Sequence, residues 1–396
     1  MGTEWFDNSV IYQVFIDRFA GFESTEGWHN PEFIGGDIKG VREKLDYLDN
    51  LGIDVIWLSP FYETSAYHGY HVTDYYSVDS RFGTEEELEK LIDEAKNRDI
   101  RVIADFVPNH CSREHPYFQE ALKSRASKYR DWFYFEENGA SPPEDDYLTF
   151  LSFDELPKLN MNHEPVREHI KGAAKKWLEL GLDGYRLDHV IGIEHEFWRE
   201  FSNEMKEEHP DSILIGEAWM KGITYSELET LRVSGKRLKW LLGSASPHIL
   251  KEYTDVLDGV LDFRFQELVR QHIAKDSIWK PRKLLETRLK LHYLRFPEDY
   301  NLPTFLDNHD MNRFLYQTGN RREKLKDAAR LQFEQDQPAV IYYGTESGLS
   351  QSHGIEEFDA HGDLQARKPM PWDDMDEELV EFFRKLIKEK GSQTGA

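Results

Sequence analysis

The chain has 396 residues, enough for one large barrel with an insertion or for two ordinary domains. Its 39 % hydrophobic and 13 % aromatic content excludes an unstructured polypeptide. With 74 acidic against 49 basic residues, the net charge of −25 repels polyphosphate, so nucleic acid is not an expected partner, whereas a neutral ligand meets no barrier.

In chain order, the opening MGTEWFDNSV lacks the basic and apolar regions of a signal peptide, and no run approaches the ~20 apolar residues of a membrane span. No membrane partner is therefore expected, and the expected location is cytoplasmic, or secreted if a leader was removed. Eight β-branched or aromatic runs then read as strands: VIYQVFID (10 to 17), VIWLSP (55 to 60), RVIADFVPNH (101 to 110), GYRLDHV (184 to 190), ILIGEAW (213 to 219), VLDGVLDF (256 to 263), PTFLDNHD (303 to 310) and AVIYYGTE (339 to 346). Helical patterns separate them. TEEELEKLIDEAKNRD opens with Thr84 as N-cap and Glu87 as its capping-box partner, and spaces Leu88, Leu91 and Ile92 on one face. PVREHIKGAAKKWLELG starts on Pro165 and stops at Gly181, and DEELVEFFRKLIKEK (376 to 390) complements its dipole with acids first and lysines last.

Eight strands, each followed by helix, predict an α/β fold of the (β/α)8 TIM barrel type. One detour departs from the pattern. Residues 111 to 163 are rich in aromatics and loop residues without a clean helical period, and read as a small inserted domain between strand 3 and helix 3. The expected division is barrel over 1–110, inserted domain over 111–163, barrel again over 164–390, and a frayed tail over 391–396. Cys111 is the single cysteine, so no intrachain disulfide or multi-cysteine metal pattern exists.

The charges fall at strand ends. Asp105, Asn109 and His110 finish the third run, Arg186, Asp188 and His189 the fourth, Glu217 the fifth, and His309 and Asp310 the seventh. Those ends converge on one face of such a barrel, where its active sites lie. A single strand-end aspartate is usually a cap or turn residue. Four strands ending in ionisable groups point instead to a shared pocket. Several carboxylates in one pocket suit glycosidic-bond chemistry, which needs one ionised and one protonated carboxyl. Arg186 shares a strand face with Asp188 and favours its ionised form; Glu217, in GEAW, is the group expected to keep a proton.

These motifs resemble those of the α-amylase superfamily of retaining glycoside hydrolases. DFVPNH, GYRLDHV, GEAW and FLDNHD match its four barrel motifs in order, and LPKLN (156 to 160) matches its fifth. The resemblance implies that Asp188 is the nucleophile, Glu217 the acid and then base, and Asp310 the stabiliser of a distorted sugar. It further implies that Arg186 orients Asp188 and that His110 and His309 bind sugar hydroxyls. Tyr70, in HGYHVTDYY, matches the aromatic residue on which that sugar stacks, and Asp105 joins the substrate-binding set. Asn109 matches a position that in many members binds structural Ca²⁺; no organic cofactor is implied.

The chain also departs from the pattern. Ile191 and Gly192 stand where many α-amylases have Lys and His, and His71 stands where many exo-acting α-glucosidases have Asp. LPKLN leans towards amylases and towards cyclomaltodextrinase-like or neopullulanase-like enzymes. The expected activity is endo-type hydrolysis of α-1,4 bonds in starch or maltooligosaccharides. Its alternatives are a cyclomaltodextrinase-like or neopullulanase-like hydrolase, a transferase or isomerase sharing the intermediate, and a silent carbohydrate-binding barrel. The sequence carries no signal for oligomeric state.

Overall fold

The computed structural model describes residues 3–219, 247–275, 282–357 and 361–394. Eight parallel strands form its centre: β1 (Val10–Val14), β2 (Val55–Leu58), β3 (Arg101–Phe106), β4 (Gly184–Leu187), β5 (Ile213–Gly216), β6 (Gly259–Val260), β7 (Thr304–Phe305) and β8 (Ala339–Tyr342). They are ordered 6-5-4-3-2-1-8-7. The ring closes just ahead of β7, where Gly259 bridges Asn301 and the Val260 N–H donates to Asn301 O at 3.1 Å. Each of the eight expected runs holds one strand of this (β/α)8 barrel. The strands are shorter than the runs because the chain leaves the ladder at their C-terminal ends and turns into the pocket.

Alternation along each strand builds two apolar layers. Inward residues Ile11, Val55, Trp57, Ile103, Ile213, Ile215, Phe305 and Val340 form a buried cluster that also includes Phe6. Outward residues such as Tyr12, Ile56, Leu58, Ala104, Tyr185 and Leu187 join a larger cluster containing helix residues Leu88, Leu91, Ile92 and Trp177. Each fully buried aliphatic or aromatic side chain contributes about 1.5–3 kcal/mol, which lets the barrel tolerate polar groups at one end. Continuing the inward parity upward places Gln13, Asp105, Arg186 and Glu217 above that cluster, all buried.

The helices follow their local signals. Thr84 and Glu87 form the full capping box of the helix Glu85–Lys96. The helix Glu164–Leu180 carries Pro in its first turn and stops at Gly181, whose φ of 121° suits glycine. Two readings need correction. The last helix, Glu377–Thr394, continues past Lys390, so residues 391–394 are helical rather than frayed, and 395–396 lie outside the described residues. The segment 111–163 does contain a helix, Pro116–Lys123, whose apolar stripe of Phe118, Ala121 and Leu122 is too short to register as a period. It also holds a two-stranded pairing of Phe135–Glu136 with Asp146–Tyr147. Beyond β2, the hairpin Tyr62–Thr64 with Val72–Val78 carries Tyr70 in its connecting loop.

Candidate active site

Arg186 is the centre of the pocket. It sits inward on β4, paired in register with Asp105 of β3, and is 1 % exposed. Its Nη1 donates to Asp105 Oδ1 at 2.5 Å and to Asp188 Oδ1 at 2.8 Å. Its Nη2 lies 2.5 Å from Glu217 Oε1 without the alignment of a hydrogen bond. Asp188, two residues past Arg186, keeps the inward parity, and its own N–H still bonds Phe106 O of the neighbouring β3. His189 then adopts a left-handed conformation (φ 44°), a strained turn that redirects the chain immediately after Asp188. Its N–H donates to Glu217 Oε2 at 3.2 Å.

The opposite wall comes from β7, β1 and the segment after β8. His309 Nε2 lies 3.0 Å from Asp310 Oδ2, and the amide nitrogen of Gln13 lies 2.9 Å from His309 Nδ1. Gln13 thus makes Nδ1 the acceptor and puts the ring proton on Nε2, facing Asp310. Arg367 donates from Nη2 to Asp310 Oδ1 (3.0 Å), from Nε to His309 O (2.9 Å) and from Nη1 to the Tyr67 hydroxyl (3.1 Å). Tyr70 stacks on His309 at 5.1 Å and 12°, and its hydroxyl donates to Asp105 Oδ2 at 2.8 Å. Trp57 Nε1 donates to the same oxygen at 3.1 Å.

The carboxyls differ electrostatically. Burial raises Glu217, with Arg186 opposing and Asp310 reinforcing the shift. Burial likewise raises Asp188 against the pull of Arg186, and the neighbouring Glu217, Asp105 and Asp310 add to it. Three carboxylates therefore compete for one guanidinium, and such a cluster retains a proton. The aligned bond from Arg186 favours the ionised form of Asp188. Asp310 goes the other way: burial would raise it, but His309 and Arg367 outweigh that and hold it below the ordinary range. Burial also keeps His110 and His189 neutral, helped by the nearby charge of Lys158.

His110 Nδ1 meets Asn109 Nδ2 at 3.3 Å, and its ring is covered by Phe150 of the inserted segment, stacked at 4.4 Å and 15°. Phe150 precedes two residues held at positive φ, Leu151 (49°) and Ser152 (63°). Asn109, expected as a calcium ligand, has a different partner. Its Oδ1 accepts from Lys158 Nζ at 2.5 Å, and the same ammonium donates to Gly192 O at 2.5 Å. An ammonium in that place repels a divalent ion, and among the described residues no group of three or more His, Cys, Asp and Glu is arranged to hold a metal. The residues present do not fit calcium at Asn109.

The structure thus gathers Asp188, Glu217, Asp310, Arg186, Asp105, Tyr70, His110 and His309 at one barrel end. Nearby, Phe106 is fully buried, and Trp219 stacks on Phe263 at 4.7 Å. Sequence reasoning missed Gln13, Trp57 and Arg367. Gln13 was legible, being a polar residue at the end of the apolar run VIYQV; Trp57 passes as core; Arg367 follows no strand directly and gave no signal.

The catalytic-domain model of alpha amylase matches residues 13–230 and 242–381. Alpha-amylase 2 of Dictyoglomus thermophilum is 36 % identical over 389 residues, covering 97 % of this chain and 63 % of its own length. Neopullulanase 2 of Thermoactinomyces vulgaris is 32 % identical over 404 residues, again covering 97 % of this chain and 63 % of the relative. The chain therefore spans just under two thirds of the length of these curated relatives. Among solved structures, the cyclic alpha-maltosyl-(1→6)-maltose hydrolase of Arthrobacter globiformis, in complex with that cyclic sugar, superposes with a TM-score of 0.82 at 27 % identity, covering 98 % of this chain and 83 % of that one. With its motifs on the strand ends of a (β/α)8 barrel, the chain belongs to the alpha-amylase family of glycoside hydrolases.

Proposed function

We propose that the chain is a retaining α-glucan hydrolase that cleaves α-1,4-glucosidic bonds of maltooligosaccharides or starch in endo fashion. The observation that carries this reading is the sharing of one buried guanidinium by Asp188 and Glu217, one aligned with it and one not. In the first step a carboxylate oxygen of Asp188 bonds to the anomeric carbon as the glycosidic C–O bond breaks, and Glu217 gives its proton to the leaving oxygen. In the second, Glu217 takes a proton from water, whose oxygen displaces Asp188. Asp310, held ionised by His309 and Arg367, faces the positive charge that develops on the sugar ring. Tyr70 offers a stacking face, and His110 and His309 offer hydrogen bonds to hydroxyls. The names of the relatives support an α-glucan as substrate.

Purified protein incubated with maltoheptaose is expected to yield shorter maltooligosaccharides; intact maltoheptaose across a range of pH would reject the reading and favour a silent carbohydrate-binding barrel. Because a neopullulanase and a cyclomaltodextrinase stand among the relatives, the second reading is a hydrolase of that type. Faster cleavage of cyclodextrin or pullulan than of starch would favour it. Products longer than the substrate would mark a transferase.

Arg367 is a positioning residue in this scheme, acting through Asp310. Replacing it with Met removes a cation beside Asp310, so that carboxyl rises and protonates at higher pH. The acid limb, set by the higher-titrating Asp188, should stay in place, while kcat on maltoheptaose falls by roughly tenfold at every pH as Asp310 loses the contact that fixes it, with KM less affected. Wild-type kcat in Arg367→Met would remove Arg367 from this role.

A further inference from the structure

Lys158 is 2 % exposed, yet it carries an ammonium group into the joint between the inserted segment and the barrel. A buried ammonium persists only where oxygens surround it. Here the oxygens come from two other parts of the chain: the Asn109 side chain just beyond β3, and the backbone carbonyl of Gly192 in the turn that follows Asp188. An amide oxygen and a carbonyl oxygen are also what a hard cation would take. The backbone fixes the lysine in place. Lys158 bridges His110, the Leu159 N–H donates to Asn109 O at 3.0 Å, and the Cys111 N–H donates to Pro157 O at 3.2 Å. Position 192 is fitted to the same contact, since a Cβ there would stand 2.2 Å from Asn109 Oδ1. Only glycine lets the turn close on the amide and its ammonium.

We propose that the Lys158 ammonium is the built-in cation of this joint, so that the inserted segment is held on the barrel by a lysine and not by a divalent metal ion. The ammonium ties three segments together: the return of the insert, the end of β3 with His110, and the turn after Asp188. From it a chain of contacts runs through Asn109 to His110 Nδ1. Neither part depends on the reaction proposed above.

The test uses unfolding and proteolysis, not turnover. The thermal midpoint of the purified chain should differ by no more than about 1 °C between excess EDTA and millimolar CaCl₂. Limited proteolysis within residues 111–163 should run equally fast in both. Lys158→Met should lower the midpoint by roughly 4–6 °C, the effect of an uncompensated buried polar site spread over a chain of this size, and should speed cleavage within the insert. Calcium-dependent protection of the insert in the wild-type protein would overturn the proposal, as would a Lys158→Met protein that melts and resists protease like wild type. If that variant fails to fold, the wild-type comparison of EDTA with calcium still decides.

Discussion

Asp188→Asn is expected to lower kcat on maltoheptaose by ~10⁵–10⁶-fold, the loss seen when a nucleophile is removed. The amide has nearly the shape of the carboxylate but cannot bond to the anomeric carbon. Stability should not fall with it. Asp188 shares Arg186 with Asp105 and Glu217, and its carboxyl is already pushed up by burial and by its neighbours. Removing one of three competing charges relieves repulsion, so the thermal midpoint should stay within a few degrees of wild type or rise. Retained turnover would assign the nucleophile elsewhere, and collapse of the fold would show that the charge is structural.

Glu217→Gln should behave differently, because its task depends on the leaving group. On maltooligosaccharides the loss should be roughly 10³–10⁴-fold, the usual worth of a general acid. On an aryl α-maltoside whose phenol leaves without a proton, the first step should be nearly intact and the second slow, giving a burst of phenol. The proposed mechanism requires Glu217 protonated and Asp188 ionised. Activity should therefore fall as pH rises through the pKa of Glu217, which burial raises above its ordinary 4.5, and fall again as pH drops and Asp188 gains a proton. The Gln variant should lose the alkaline limb in the burst step while keeping the acid one. Equal losses on both substrates would deny Glu217 the acid role.

Much of this was legible because a parallel barrel converts sequence periodicity directly into geometry. Asp105, Arg186 and Glu217 are polar groups at the C-terminal tips of apolar runs, and inward parity sends all three into one pocket. Asp310 announced itself the same way, next to His309. The remainder escaped for physical reasons. Arg367 reaches Asp310 from the irregular chain beyond β8, where no period of 2 or 3.6 exists to place it. Pairing partners such as Gln13 of β1 with His309 beyond β7 depend on ring closure, which sets β1 and β7 on either side of β8. The lysine that occupies the Asn109 amide was hidden because it lies 49 positions away in the least periodic part of the chain.

The most direct test of the central claim is the anomeric configuration of the first products, followed by proton NMR in the opening minutes of maltoheptaose cleavage. Two displacements, at Asp188 and then by water, predict that the new reducing ends appear as the α-anomer and only later mutarotate. Appearance of the β-anomer first would mean a single displacement by water, and would contradict Asp188 as nucleophile.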